Sequence, residues 1–176
     1  MAISNLSSGL RPGVCTSTTR PTTPYEGQQI YETDTNEILI YNGSDWVCLT
    51  PKNSEVLTLQ TTTSTSYTDL TTSGPSVNIQ TGAKALVTID VTADSSTGTL
   101  GQYLSIASVA VSGATTISAS DDYRVVNRAG SALVSVSRTI LFSSLTGGVN
   151  TFTLKYRVDG GTGRFMHRNI TVVGIP

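Results

Sequence analysis

Beyond residue 55, apolar and polar positions alternate in strand fashion, and no window there repeats with helical spacing. Residues 85–93 give the cleanest pattern, with Leu86, Thr88, Asp90 and Thr92 on one face and Val87, Ile89 and Val91 on the other. The same reading predicts strands over 55–60, 76–80, 102–111, 115–118, 123–127, 132–142, 149–158 and 164–175, with a short edge strand at 67–70. In the 132–142 run, Leu133, Ser135 and Ser137 alternate against Val134, Val136 and Arg138, as in a half-buried strand. Turn chemistry falls between the runs: Gly and Ser over 94–101, Thr146-Gly147-Gly148, and Asp159 to Gly163, which predicts a hairpin with a glycine-rich tip. Roughly eight strands at this spacing imply an all-β domain over 55–176, a jelly-roll-like antiparallel β-sandwich.

Ahead of that domain, residues 24–50 read as a β-meander, with strands over 29–32, 38–41 and 46–49 separated by Thr33-Asp34-Thr35-Asn36 and Asn42-Gly43-Ser44-Asp45. So short a meander buries too little apolar surface to offset its ordering entropy. Its apolar face therefore needs cover from the rest of the chain or from other copies. Residues 1–23 hold Gly9, Pro12, Gly13 and Pro21 and irregularly spaced apolar residues, which predicts an extended arm that orders against a partner surface. The break at Thr50-Pro51-Lys52-Asn53 marks the boundary between meander and sandwich.

The run RPGVCTSTTRPTTPYEGQQIYETDTNEILIYNGSDWVCL resembles a short module of tailed-bacteriophage virion proteins, among fibre-like, minor tail and head-decoration components. Arg20-Pro21, Pro24 to Gln28, Ile30 to Thr35, Tyr41-Asn42-Gly43 and Trp46 carry the resemblance, which covers the N-terminal part alone. It implies trimeric association and no catalysis, and it does not separate head from tail.

Few charges (13%) and many small β-compatible residues fit this architecture, and an apolar fraction of 38% excludes a disordered chain. At a net charge of −1, no basic excess draws the protein to nucleic acid or to an anionic membrane. The charges are unevenly placed. Glu26, Glu32, Asp34, Glu37 and Asp45 dominate the first part, whereas Arg124, Arg128, Arg138, Lys155, Arg157, Arg164 and Arg168 dominate the last, which suits one acidic and one basic contact surface. Cys15 and Cys48 are too few for a disulfide framework, and no signal peptide or membrane span is legible. A product assembled in the host cytoplasm, with both thiols free and buried, is the expectation.

Candidate chemistry is sparse. A Ser-His-Asp triad would have to use His167, the single histidine, and there is no GxSxG elbow. Two cysteines and one distant histidine do not make a zinc site, and Asp121-Asp122 or Asp94-Ser95-Ser96 offer too few acids for calcium. Gly160 to Gly163 lacks the Lys-Ser/Thr of a phosphate loop, and Lys155, Arg157, Arg164 and Arg168 form a candidate basic stripe. No enzyme activity, metal or cofactor is expected.

The aromatic and β-branched residues of the meander, Tyr25, Ile30, Tyr31, Ile38, Ile40, Tyr41 and Trp46, are the candidate attachment and trimer-interface residues. The expected role is that of a homotrimeric capsid decoration (cement) protein in a virion, partnered by the major capsid protein or tail components and by neither nucleic acid nor membrane. The alternative is a tail-fibre or tail-tip component whose loops, at 92–101 and 159–163, bind a host receptor or glycan.

Overall fold

The computed structural model describes residues 12–95, 97–98, 101–128 and 132–176. The segment 1–11 of the expected arm lies outside the described residues. Among the described residues fifteen strands follow in order: β1 (Gly13–Cys15), β2 (Gln29–Glu32), β3 (Glu37–Tyr41), β4 (Trp46–Cys48), β5 (Lys52–Val56), β6 (Gln60–Thr62), β7 (Ser76–Thr81), β8 (Lys84–Ser95), β9 (Thr97–Gly98), β10 (Gly101–Gln102), β11 (Ser105–Gly113), β12 (Arg124–Asn127), β13 (Val134–Phe142), β14 (Gly148–Val158) and β15 (Gly163–Ile175). One 3-10 turn, Asp121–Tyr123, precedes β12 and is capped by the Ser120 hydroxyl, which accepts from the Asp122 amide.

Two sheets face each other. One is ordered β12-β11-β14-β7; the other is β13-β8-β15-β5, with β6 also paired to β15. The antiparallel partners nest along the chain: β11 with β12, β8 with β13, β7 with β14 and β5 with β15, alternating between the sheets. A long hairpin rolled upon itself produces this nesting, so the sandwich is a jelly roll, as the alternation predicts. Inward positions of both sheets form the core. Val87, Ile89, Val91, Phe152, Leu154, Tyr156, Ile170 and Val172 are each at most 1% exposed. Phe142 links the sheets, 4.7 Å from Tyr123 and 5.6 Å from Phe152 between ring centres.

Several expectations need correction. The glycine-rich loop after β14 is no hairpin tip, because β14 and β15 lie in different sheets and the chain arches across the core there. The predicted 55–60 strand is two strands, β5 and β6, separated by the exposed Leu57 and Leu59. Residues 67–70 and 115–118 each contribute one bridge, Thr68 to Tyr156 and Ile117 to Val111. The first half of β13 is more open than a half-buried strand: Val134 is 43% exposed and Val136 only partly buried, although β12 lies against this half, with Asn127 at Val134 and Arg124 at Arg138, whereas Ile140 and Phe142 in the second half are buried.

The meander forms as predicted and gains β1, which pairs in parallel with β2, so part of the expected arm folds on its own chain. This small sheet caps one end of the sandwich. Ile30, Leu39, Trp46 and Cys48 join the same apolar cluster as the sandwich core, so the cover that the meander needs is supplied by this chain. Two glycines make the joint possible. A side chain at Gly174 would meet the Cys48 carbonyl oxygen and Val47 at 2.7 Å, and one at Gly82 would meet Asn42 at 2.7 Å and Val47 at 3.0 Å.

Candidate assembly surface and outer-face cleft

Register arranges the small sheet in lateral rows. Gly13, Ile30, Leu39 and Cys48 form a row that faces inward. Glu32 and Glu37 are opposite each other at the next inward position, both buried. Each has its own cation: Arg20 pairs with Glu32, which also accepts from the Thr35 hydroxyl at 3.0 Å, and Lys52 pairs with Glu37 at 2.5 Å. The first pair holds the 16–20 segment across the sheet, and the second ties β3 to β5.

The opposite face carries the row Val14, Tyr31, Ile38 and Leu49, running from one edge of the sheet to the other. Val14 is 70% and Ile38 44% exposed, while Tyr31 and Leu49 are half-buried. A row of four such side chains, exposed at Val14 and Ile38, is the kind of surface that protein contacts cover. Of the candidate interface residues, Tyr31 and Ile38 lie in this row and Ile40 lies on the same face, two residues along. Tyr25 is 71% exposed in the loop before β2. Ile30 and Trp46 face the chain's own core, and Tyr41 packs on Trp46 at 5.4 Å. Val14 and Leu49 escaped the sequence reading because their place in the row depends on the parallel pairing of β1 and on the continuation of pairing past β4.

A second feature lies on the outer face of the β12-β11-β14-β7 sheet. The small side chain of Ala110 on β11 leaves room for a trough of about 410 Å³, floored by Ala110 and Lys155 and walled by Tyr67, Thr68 and Asp69 on one side and Ser118 and Ala119 on the other. The walls are fixed by backbone pairing, Thr68 against Tyr156 and Ile117 against Val111. Lys155 Nζ donates to Asp69 Oδ2 at 2.7 Å, and the Ser73 hydroxyl donates to Asp69 Oδ1 at 2.9 Å. Burial pushes the Asp69 carboxyl up, but those hydrogen bonds outweigh it and leave the group below its ordinary value. Beside the trough, Asp121 accepts from Arg157 at 2.9 Å and from the Tyr67 hydroxyl at 2.8 Å and pairs with Arg124, and the Arg157 guanidinium lies 5.2 Å from the Tyr67 ring centre. Hydrogen bonding to Arg157, ahead of that to Tyr67, lowers the Asp121 carboxyl to about 2. The Tyr67 phenol is raised, by burial first and then by its bond to Asp121.

These pairings alter the picture of a basic C-terminal half. Lys155, Arg157, Arg124 and Arg164 each pair with a carboxylate of this chain, Asp69, Asp121, Asp121 and Asp94 respectively. The basic stripe does not form, because Lys155 and Arg157 belong to one sheet and Arg164 and Arg168 to the other. Arg168 is fully buried, with Gln60 Oε1 3.0 Å from Nη2 and the Tyr156 ring centre 5.3 Å from the guanidinium carbon. His167 is exposed at a β-bulge with a positive φ of 45°. Among the described residues no three of His, Cys, Asp and Glu converge as metal ligands, and no helix is long and apolar enough to cross a membrane. Both cysteines are free thiols; Cys48 is buried, with burial pushing it up to about 11, and Cys15, partly exposed, is also raised by burial.

Fold and surface together define an all-β jelly-roll sandwich with a small capping sheet. Neither any protein-family model nor any curated protein sequence matches the chain. Among solved structures, the infectious bursal disease virus VP2 subviral particle is similar at 12% identity and a TM-score of 0.50, over 86% of this chain and 40% of that one. The Eiger TNF of S. frugiperda is similar at 12% identity and a TM-score of 0.48, over 72% of this chain and 92% of that one. At such identities the likeness is one of fold.

Proposed function

We propose that this chain is a non-enzymatic structural protein of a tailed-bacteriophage virion, a homotrimeric capsid decoration (cement) protein. The small sheet attaches it to the major capsid protein and to sister chains, and the jelly roll forms the outward body. It is assembled in the host cytoplasm and works without cofactor, nucleic acid or membrane. The observation that carries this reading is the exposed row Val14, Tyr31, Ile38 and Leu49 on the very module whose sequence resembles virion attachment segments. Further support comes from the fold, which the VP2 subviral particle shares. The mechanism is cohesion by mass action: a protein that binds only the assembled shell stabilises it by its binding free energy.

A tail-fibre or tail-tip position is the second reading, favoured by the trough on the outer face of the sandwich. Copy number decides between them. Quantitative mass spectrometry of purified virions is expected to give several hundred copies per particle, on the scale needed to cover a shell of repeated capsomers. A few dozen or fewer moves the protein to the tail, and absence from virions removes both readings.

A further inference from the structure

The trough beside Asp69 and Lys155 belongs neither to the core nor to the assembly row, and its chemistry is specific. Apolar contact is offered by the Tyr67 ring and by the methyl groups of Ala110 and Ala119, while Thr68, Ser118, Asp69 and Lys155 supply polar atoms. Among the described residues one of the three Lys155 ammonium protons is committed, to Asp69, and each Asp69 oxygen accepts one side-chain hydrogen bond, with the Gly74 backbone also bonded to the carboxylate. Donors and acceptors with spare capacity therefore sit side by side, 2.7 Å apart. A vicinal diol carries the complementary pair, one hydroxyl accepting from the ammonium and its neighbour donating to the carboxylate. Charge on the trough and its rim is balanced, Lys155, Arg157 and Arg124 against Asp69, Asp121 and Asp122, so an anion or a cation gains no net field there. A neutral ligand with an apolar ring face and clustered hydroxyls matches every one of these features.

We propose that this trough is a carbohydrate subsite that takes a neutral hexose or N-acetylhexosamine unit of a glycan, with the Asp69–Lys155 pair on adjacent hydroxyls and Tyr67 against the ring. The walls are held by strand pairing, so the site is preorganised. It is distinct from the loops 92–101 and 159–163, and it does not depend on whether the protein sits on head or tail.

The test uses the full chain on an array of immobilised oligosaccharides, neutral ones ending in glucose, galactose, mannose or N-acetylglucosamine and acidic ones ending in sialic or uronic acid. Retention on one or more neutral glycans is expected. Asp69→Asn and Ser118→Trp, the latter filling the trough from an exposed wall position, are each expected to weaken it about tenfold or more. Their sedimentation and thermal midpoint should match wild type, which separates loss of this site from loss of assembly. Titrating isotope-labelled wild-type protein with the best-retained sugar is expected to shift the amides of Ala110, Ser118 and Ala119. No retention on any neutral glycan, retention on acidic glycans alone, undiminished binding by both variants, or amide shifts confined to another face would each overturn the proposal.

Discussion

Arg168 occupies a core position of β15 with no carboxylate beside it among the described residues, and its Nε has no hydrogen-bond partner. Its guanidinium is held instead by the Gly74 carbonyl at 3.3 Å, by Gln60 and by the face of Tyr156. Truncation removes all of these at once and leaves a cavity, so Arg168→Ala is expected to lower unfolding free energy by about 2–4 kcal/mol in urea titrations. A loss within experimental error would mean that the guanidinium contributes nothing. Asp121 gives a pH signature. Its folded pKa lies below the ordinary 3.8, so its stabilisation is present above that value and is lost as pH falls toward about 2. The group is half-exposed, so the effect is screened and modest, and it should shrink in high salt. Stability of Asp121→Asn is expected to fall less steeply than wild type between those pH values; parallel acid limbs would refute the assignment.

At the scale of elements, the joint between capping sheet and sandwich rests on backbone contact. Gly174→Val would drive a side chain into Cys48 and Val47, so limited proteolysis is expected to cut residues 16–50 of that variant much faster than the jelly-roll strands. Equal protection would show that the contact is dispensable. Most strands were legible because one face of each is buried, and strict alternation in β7, in β8 as far as Ala93 and in β14 leaves one solution. Where pairing depends on distant chain, the sequence carries less. The parallel pairing of β1, the arch between β14 and β15, and the exposure of the first half of β13 are set by tertiary packing. The order of residues in β15 does carry a signal. In β15 Phe165 is inward at an odd position, whereas Ile170 and Val172 are inward at even ones. Such a change of parity requires the bulge between Met166 and Asn169, and it carries Arg168 into the core. Likewise Glu32 shares the face of Ile30, two residues earlier, which marked it as buried before any partner was known.

For the whole molecule, the exposed row predicts association without change of fold. Val14→Asp with Ile38→Asp is expected to turn a trimer into monomers in sedimentation velocity while the thermal midpoint of the monomer stays near that of a conservative control. Trimers that survive this double change would place the contact elsewhere. The nesting of strand partners has a temporal consequence as well. β5, β6 and β8 all pair with β15, which leaves the ribosome well after them, and the capping sheet rests on Gly174 of β15 as well as on Gly82. The capping sheet thus emerges before part of the surface on which it rests. A chain interrupted after Asp159 keeps the Gly82 side of the seat for its capping sheet but lacks the Gly174 side, and a protease pulse on stalled ribosomes is expected to cut residues 16–50 faster than in the chain that has β15. Under the role proposed above, growing shells would then meet fully seated subunits only once translation has passed that point, so that synthesis itself would act as an inspection step before docking.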